Sequence, residues 1–280
     1  MMKLKKHLSK YYYEHVHGSA LGFRLRRFVE AAPLAELKPF NGLSAISDLF
    51  VWRCNAEWET EFELFNITSF VYPADMPEER CEMVFFDADG REFNRHTLML
   101  VPLERRTLKI SDYLGDRQGA GTFSIFHHSS LSVRYQERGS HLTERGYVGY
   151  RRHGAKLKSF CHGNLQSLSK GPEQKNYSYV AATTQPMRYH PQLILSDCRR
   201  VELIYTNPSS GARAVEINLF DRSGQKIGDR HIIVPARGVR IIEIDNAEGD
   251  IHTFDNKGEI IMWRPVIKKY YETHFDVMHG

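Results

Sequence analysis

The chain repeats itself, and the repeat limits what it can fold into. Glu82-Met-Val-Phe-Phe-Asp-Ala-Asp-Gly90 matches Glu216-Ile-Asn-Leu-Phe-Asp-Arg-Ser-Gly224 at an offset of 134 residues. Upstream, FELFN (62–66) matches LIYTN (203–207). Downstream, HTLMLVP (96–102) matches RHIIVP (230–235), LKI (108–110) matches IEI (242–244), and GTFSIFH (121–127) pairs with GEIIMWR (258–264). Each copy therefore reads as strands recurring every ~8–15 residues with no helical period between them, which predicts antiparallel sandwiches and not a parallel α/β sheet.

The matched DADG and DRSG segments have the chemistry of tight turns. Asp accepts from the turn's backbone N–H groups and Gly supplies a positive φ. A calcium loop also opens D-x-D-G, but the second copy lacks the second carboxylate and position twelve from Asp87 is Leu98. Val84 and Phe86 before the first turn and Phe93 after it alternate as half-buried strand residues do. The fold class expected is all-β: two tandem antiparallel β-sandwich domains related by an internal repeat, with a short helical N-terminal segment. Residues 1–50 form a basic, partly helical arm, 51–130 copy one, 131–197 a Tyr/Arg-rich bridging insert with extra strands, and 198–280 copy two with a C-terminal tail.

A strand ending in Asn66 or Asn207-Pro208, then xLFDxxGxxI, then an apolar strand running into Pro-x-x-Gly, resembles immunoglobulin-like sandwiches of the CARDB-like or fibronectin-III-like kind. The resemblance covers about residues 58–130 and 198–267. It implies a fold only, because these motifs specify turns and such sandwiches carry many unrelated functions. Those modules are usually extracellular, whereas this sequence shows no apolar h-region after its basic start.

Charge and cysteine narrow the classes further. Residues 1–27 carry seven bases (Lys3, Lys5, Lys6, Lys10, Arg24, Arg26, Arg27) and one acid, a charge of +6, so the remaining 253 residues sum to −2. The arm is suited to an anionic membrane surface or a partner, and nucleic acid is disfavoured by the net acidic remainder. No apolar run approaches the ~18–20 residues of a membrane span. Cys54, Cys81, Cys161 and Cys198 are widely spaced and form no CxxC pair, which predicts four reduced, mostly buried thiols in a cytoplasmic protein, peripheral at the inner membrane face.

Two sets of residues are candidates for function. The segment 131–197 is rich in Tyr and Arg, a combination that stacks on rings and hydrogen-bonds hydroxyls or phosphates. Its ligand-binding candidates are Arg134, Tyr135, Arg145, Tyr147, Tyr150, Arg151, His162 and Asn164. The second set is histidine-rich: His127, His128, His274, Asp276 and His279. The spacing His274-x-Asp276 places imidazole and carboxylate on one side of a strand, as in two-His-one-carboxylate sites. Cys161 and His162 are neighbours and so point to opposite faces, which makes them poor catalytic partners. P-loop, H-E-x-x-H and G-x-S-x-G motifs are absent.

The reading that follows is a non-catalytic binding or interaction protein for carbohydrate, glycoconjugate or a protein partner. No cofactor is expected, with room for a divalent metal. The alternatives are a metal-dependent enzyme with a His/Asp site between the sandwiches, and a structural component that forms homo-oligomers through exposed sheet edges.

Overall fold

Alternating and continuous apolar runs set the strands, and their burial sets the layers. The computed structural model describes residues 45–129, 131, 134, 142–163, 167–170, 177–179, 182–260 and 263–280. The expected N-terminal helix, the seven basic residues of the arm, Tyr135 and Asn164 lie outside these. The described chain is all-β. It opens with β1 (Ala45–Asp48), β2 (Phe50–Cys54) and β3 (Trp58–Phe65), then a short helix α1 (Ile67–Val71), β4 (Glu79–Asp87), β5 (Glu92–Leu100), β6 (Arg105–Lys109) and β7 (Gly119–His128). β8 (Leu142–Glu144), β9 (Tyr147–Arg152), β10 (Ser159–His162), β11 (Ser167–Lys170) and β12 (Ser178–Tyr179) follow. The second half holds β13 (Ala182–Tyr189), β14 (Arg200–Thr206), β15 (Arg213–Phe220), β16 (Lys226–Val234), β17 (Val239–Asp245), β18 (Thr253–Ile260), β19 (Val266–Tyr270) and β20 (Phe275–His279).

The repeat runs through eight strands per copy. In copy one the sheets are β10-β9-β3-β6 and β2-β7-β4-β5; in copy two they are β20-β19-β14-β17 and β13-β18-β15-β16, in the same order. Even the bulge is repeated, between Phe85 and Phe86 and between Leu219 and Phe220. The segment 131–197 is therefore no bridging insert. β9 and β10 complete copy one, β13 opens copy two, and among the described residues only β8, β11 and β12 are extra. These three join β1 in a third sheet, β12-β11-β1-β8, which among the described residues belongs to copy one alone. The pairing of GTFSIFH with GEIIMWR is also corrected. Phe86 faces Thr122 and Phe220 faces Thr253, so Thr122-Phe123 corresponds to Thr253-Phe254.

The third sheet explains a second departure. Val84 and Phe86 are fully buried, not half-buried, because Ala45, Leu49 and Leu168 cover the outer face of β4 and β7, where Phe126 packs beside them. A strand buried on both faces needs a continuous apolar run, and Met83-Val-Phe-Phe86 is one. In copy two the counterpart of Val84 is Asn218, also buried (4% exposed), which faces Asp255 and donates to it at 2.9 Å.

The matched sequence motifs are structural. Asp87 Oδ1 accepts from the amides of Asp89 and Arg91 at 3.0 and 2.9 Å, and Asp221 Oδ1 accepts from those of Ser223 and Gln225 at 2.9 Å each. The hairpin reading therefore holds for both turns. Buried Asn66 donates to the carbonyls of Pro77 (2.9 Å) and Val101 (3.0 Å), and Asn207 donates to those of Gly211 and Val234 (2.9 Å each). Each asparagine thus ties the end of its own strand to the end of β5 or β16 and satisfies carbonyls that burial would otherwise leave unpaired.

Copy two turns the outer face of its β14 sheet onto copy one. Val51, Ile204 and Val239 are buried together there, and Tyr270 and Val277 of copy two join the core of copy one. Two charged residues are enclosed in this seam. Glu202 is 0% exposed and receives the Arg53 guanidinium. Lys268 is also 0% exposed, with its Nζ 3.6 Å from the Trp58 ring centroid and 4.3 Å from that of Tyr150.

Candidate functional site

The outer face of the sheet β10-β9-β3-β6 is the open counterpart of the face that copy two buries. Alternation along β3 points Trp58, Thr60, Phe62 and Leu64 inward and Glu59, Glu61 and Glu63 outward. The three glutamates are met by bases on both sides: Lys109 (3.0 Å) and Arg151 at Glu59, Lys158 at Glu61, and Arg105 (3.0 Å) at Glu63. The bases are partly to largely exposed, and pairs open to solvent on one side add little stability individually, about 0–1 kcal/mol. They do hold the guanidinium and carboxylate groups in fixed positions.

At one end of this face a groove of about 710 Å³ is lined by Glu63, Phe65, Arg105, Arg145, Tyr147 and Phe160. Tyr147 is 55% exposed and Phe160 is 43% exposed, high values for rings on a sheet. Arg145 is fixed by donating its Nε to Asp48 Oδ2 at 3.2 Å. Asp48 is itself fully buried and also accepts from Ser167 Oγ at 2.6 Å. Burial raises the Asp48 carboxyl to about 6, against the opposing pull of Ser167 and Arg145.

That value fixes the sign of a pH effect. A carboxyl whose folded pKa lies above its unfolded value stabilises the fold only while protonated, so the contribution fades as pH rises through about 6. Between about pH 4.5 and 7.5 the wild type should lose about 2 kcal/mol that Asp48→Asn does not lose. Urea unfolding of both proteins at the two pH values measures this difference, and parallel pH curves would contradict it.

The described ligand-binding candidates separate into five environments. Arg145 and Tyr147 line the groove. Tyr150 points the other way, fully buried, and donates its hydroxyl to the Val51 carbonyl at 3.0 Å. It is a core residue because positions 148 and 150 alternate with the outward 147, 149 and 151. Arg151 is bound to Glu59, and Arg134 is paired with Asp75 beside the Tyr72 ring. His162 sits edge-on to Tyr147, ring centroids 6.1 Å apart.

The metal candidates do not converge either. His162 and His279 hold matching places in β10 and β20, and their rings meet across the seam with centroids 3.9 Å apart. Burial, then the neighbouring His162, holds His279 below the usual imidazole range. Asp276 accepts from Ser159 Oγ at 3.2 Å, and His274 stacks on Tyr271 at 4.5 Å. Both line a second groove of about 950 Å³ between the copies, beside Arg152, His153 and Leu157. His128 faces the third sheet, 3.8 Å from Glu82, and burial lowers it to about 4. His127 lies on the opposite face of the same strand and is fully enclosed.

His127 belongs to a polar cluster that sequence spacing does not show. β4 and β7 pair with Cys81 opposite His127, and Glu79 lies two residues along on the same face. His127 Nε2 donates to Glu144 Oε2 at 2.5 Å, while Nδ1 lies 3.0 Å from Glu79 Oε2 and 3.4 Å from Cys81 Sγ. Glu79 also accepts from the Thr68 amide at 3.0 Å and from its hydroxyl, and Glu144 accepts from the Gly146 amide at 2.5 Å. Glu79, Cys81 and His127 are 0%, 0% and 1% exposed. The other three cysteines are also buried and unpaired, and burial raises Cys161 to about 12, which leaves it protonated and unreactive.

No family model matches the chain, and no curated protein does. Among solved structures, a glycosyl hydrolase family 2 member from Bacteroides cellulosilyticus is similar at 8% identity with a TM-score of 0.15. A family 2 member from Bacteroides cellulosilyticus DSM 14838 is similar at 9% identity with a TM-score of 0.14. The alignments cover 84% of this chain but 26% and 28% of those two, so the chain spans about a quarter of their length. The class of protein rests on the geometry itself: a tandem antiparallel β-sandwich protein with an open groove on one sheet. Among the described residues no helix is long and apolar enough to cross a membrane.

Proposed function

We propose that this is a non-catalytic binding protein whose Tyr147–Phe160 groove receives a carbohydrate chain. One observation carries the reading: two exposed aromatic rings share a groove with Arg145, Arg105 and Glu63, each already positioned by a partner. Rings give a sugar's apolar face a platform, and planar charged groups hydrogen-bond its hydroxyls without having to be ordered on binding. The repeat adds support, because the matching face of copy two is used to grip copy one.

The test is calorimetric titration of the full chain with oligosaccharides selected on a glycan panel. Tyr147→Ala and Phe160→Ala are expected to weaken binding about 10- to 100-fold, the effect of removing a central aromatic contact. Tyr271→Ala, away from the groove, is expected to bind as wild type. Failure to bind any glycan, or equal binding by all variants, would overturn the proposal.

A further inference from the structure

We infer that Glu79, Cys81 and His127 form a zinc site enclosed in the end of copy one's sandwich, with Glu144 orienting the histidine. The backbone brings the three ligands together. Cys81 and His127 are directly opposed across the β4–β7 ladder, and Glu79 follows Cys81 at the two-residue period of one strand face. One carboxylate oxygen, one thiol and one imidazole nitrogen then converge within 4.8 Å of one another.

Both spacings from Nδ1 fit an ion. A zinc about 2.0 Å from nitrogen and oxygen and about 2.3 Å from sulfur would see Nδ1 and Oε2 at roughly 100° and Nδ1 and Sγ at roughly 105°, near the tetrahedral angle. The outer partner is also in place. A histidine that binds zinc through one nitrogen commonly donates its other N–H to a carboxylate in a hydrogen bond, and His127 Nε2 lies 2.5 Å from Glu144 Oε2, placed to do so. Nδ1 lies 3.0 Å from Glu79 Oε2 and 3.4 Å from Cys81 Sγ.

On zinc entry Cys81 binds as the thiolate and His127 through an unprotonated Nδ1, so any proton on those two atoms leaves to solvent.

The second copy shows that the fold does not need this cluster. The position of Cys81 opposite His127 becomes Val215 opposite Gly258, and Glu79 becomes Arg213. Counted from the paired residues Phe62–Val148 and Leu203–Ile267, Glu144 corresponds to Trp263. A β-carbon on Gly258 would collide with the Trp263 ring, so the indole fills in copy two the space that His127 and Glu144 fill in copy one. Val215, Gly258 and Trp263, with Arg213 at the fourth position, serve one sandwich, and Glu79, Cys81, His127 and Glu144 at the matching positions of the other answer a different need.

Metal content of the untagged full chain, measured by plasma mass spectrometry after dialysis, tests the site. About one zinc per chain is expected, falling to near zero in Cys81→Ser and His127→Gln and unchanged in Cys161→Ser and His279→Ala. Cobalt loaded in place of zinc should give a thiolate-to-cobalt charge-transfer band in the wild type, a readout that does not depend on whether the variants fold. A folded wild type that holds no zinc and takes up neither zinc nor cobalt would overturn the inference. So would a bound metal that stays in folded Cys81→Ser with an unchanged cobalt spectrum.

Discussion

Glu202→Gln is expected to destabilise the protein by about 3–5 kcal/mol, the usual effect of removing one partner from a buried ion pair. Glu202 is fully buried and receives Arg53, whose side chain is 11% exposed. Lys268 lies in the same enclosure with no hydrogen-bond partner for its Nζ among the described residues. Two cations would then face each other with no anion between them. Lys268→Met should act in the opposite sense. Desolvating an ammonium costs several kcal/mol, and contact with an aromatic face returns about 2 kcal/mol, so the variant should be about 1 kcal/mol more stable at neutral pH.

The pH dependence gives that comparison a sign. Burial, then the nearby Arg53, holds Lys268 well below the usual lysine range. Between its folded and unfolded pKa values the unfolded chain binds more protons, so the wild type gains stability as pH rises. The advantage of Lys268→Met should therefore shrink from pH 7 towards pH 10. Urea unfolding across that range reads it, and a gap that widens would contradict the description of Lys268 as a destabilised cation.

Gly90→Ala is expected to cost about 2–5 kcal/mol, against about 1–2 kcal/mol for Gly224→Ala. The two glycines hold the same place in matched hairpins, with φ of +77° and +82°. A β-carbon is strained at both. At Gly224 nothing lies within 4 Å, whereas at Gly90 it would overlap the Ala236 carbonyl and come within 2.8 Å of the Gly238 nitrogen. The difference measures how firmly the copy-one hairpin is seated on the 235–238 loop, where Val239 N also donates to the Ala88 carbonyl at 3.1 Å. Equal losses from the two substitutions would mean that this contact adds nothing.

Much of the fold is legible because the repeat preserves turns. Asp87/Asp221, Gly90/Gly224 and Asn66/Asn207 keep one residue type, since each has a backbone task that few side chains perform. The last strands keep only packing, which many residues satisfy. β9 and β19 share no identity at their paired positions, and Gly149 in one stands where Lys268 stands in the other. This is why β9 and β10 read as an insert. The Thr122-Phe123 and Thr253-Phe254 match was present but short. The polar cluster depended on register: only pairing places Cys81 against His127, although Glu79 and His127 do bracket apolar strands as polar interruptions. The charge trap at Glu202 had a similar faint signal, one acid inside Val201-Glu-Leu-Ile-Tyr205.

The most direct test of the groove is to find where a carbohydrate lands. Hydrogen exchange of the full chain, with and without the best-binding oligosaccharide of a glycan panel, locates the footprint. The groove predicts slowed exchange at residues 63–65, 144–147 and 159–160. Protection instead at residues 152–158 and 273–276, or no change with any glycan tested, would contradict the assignment of the Tyr147–Phe160 groove as the ligand site.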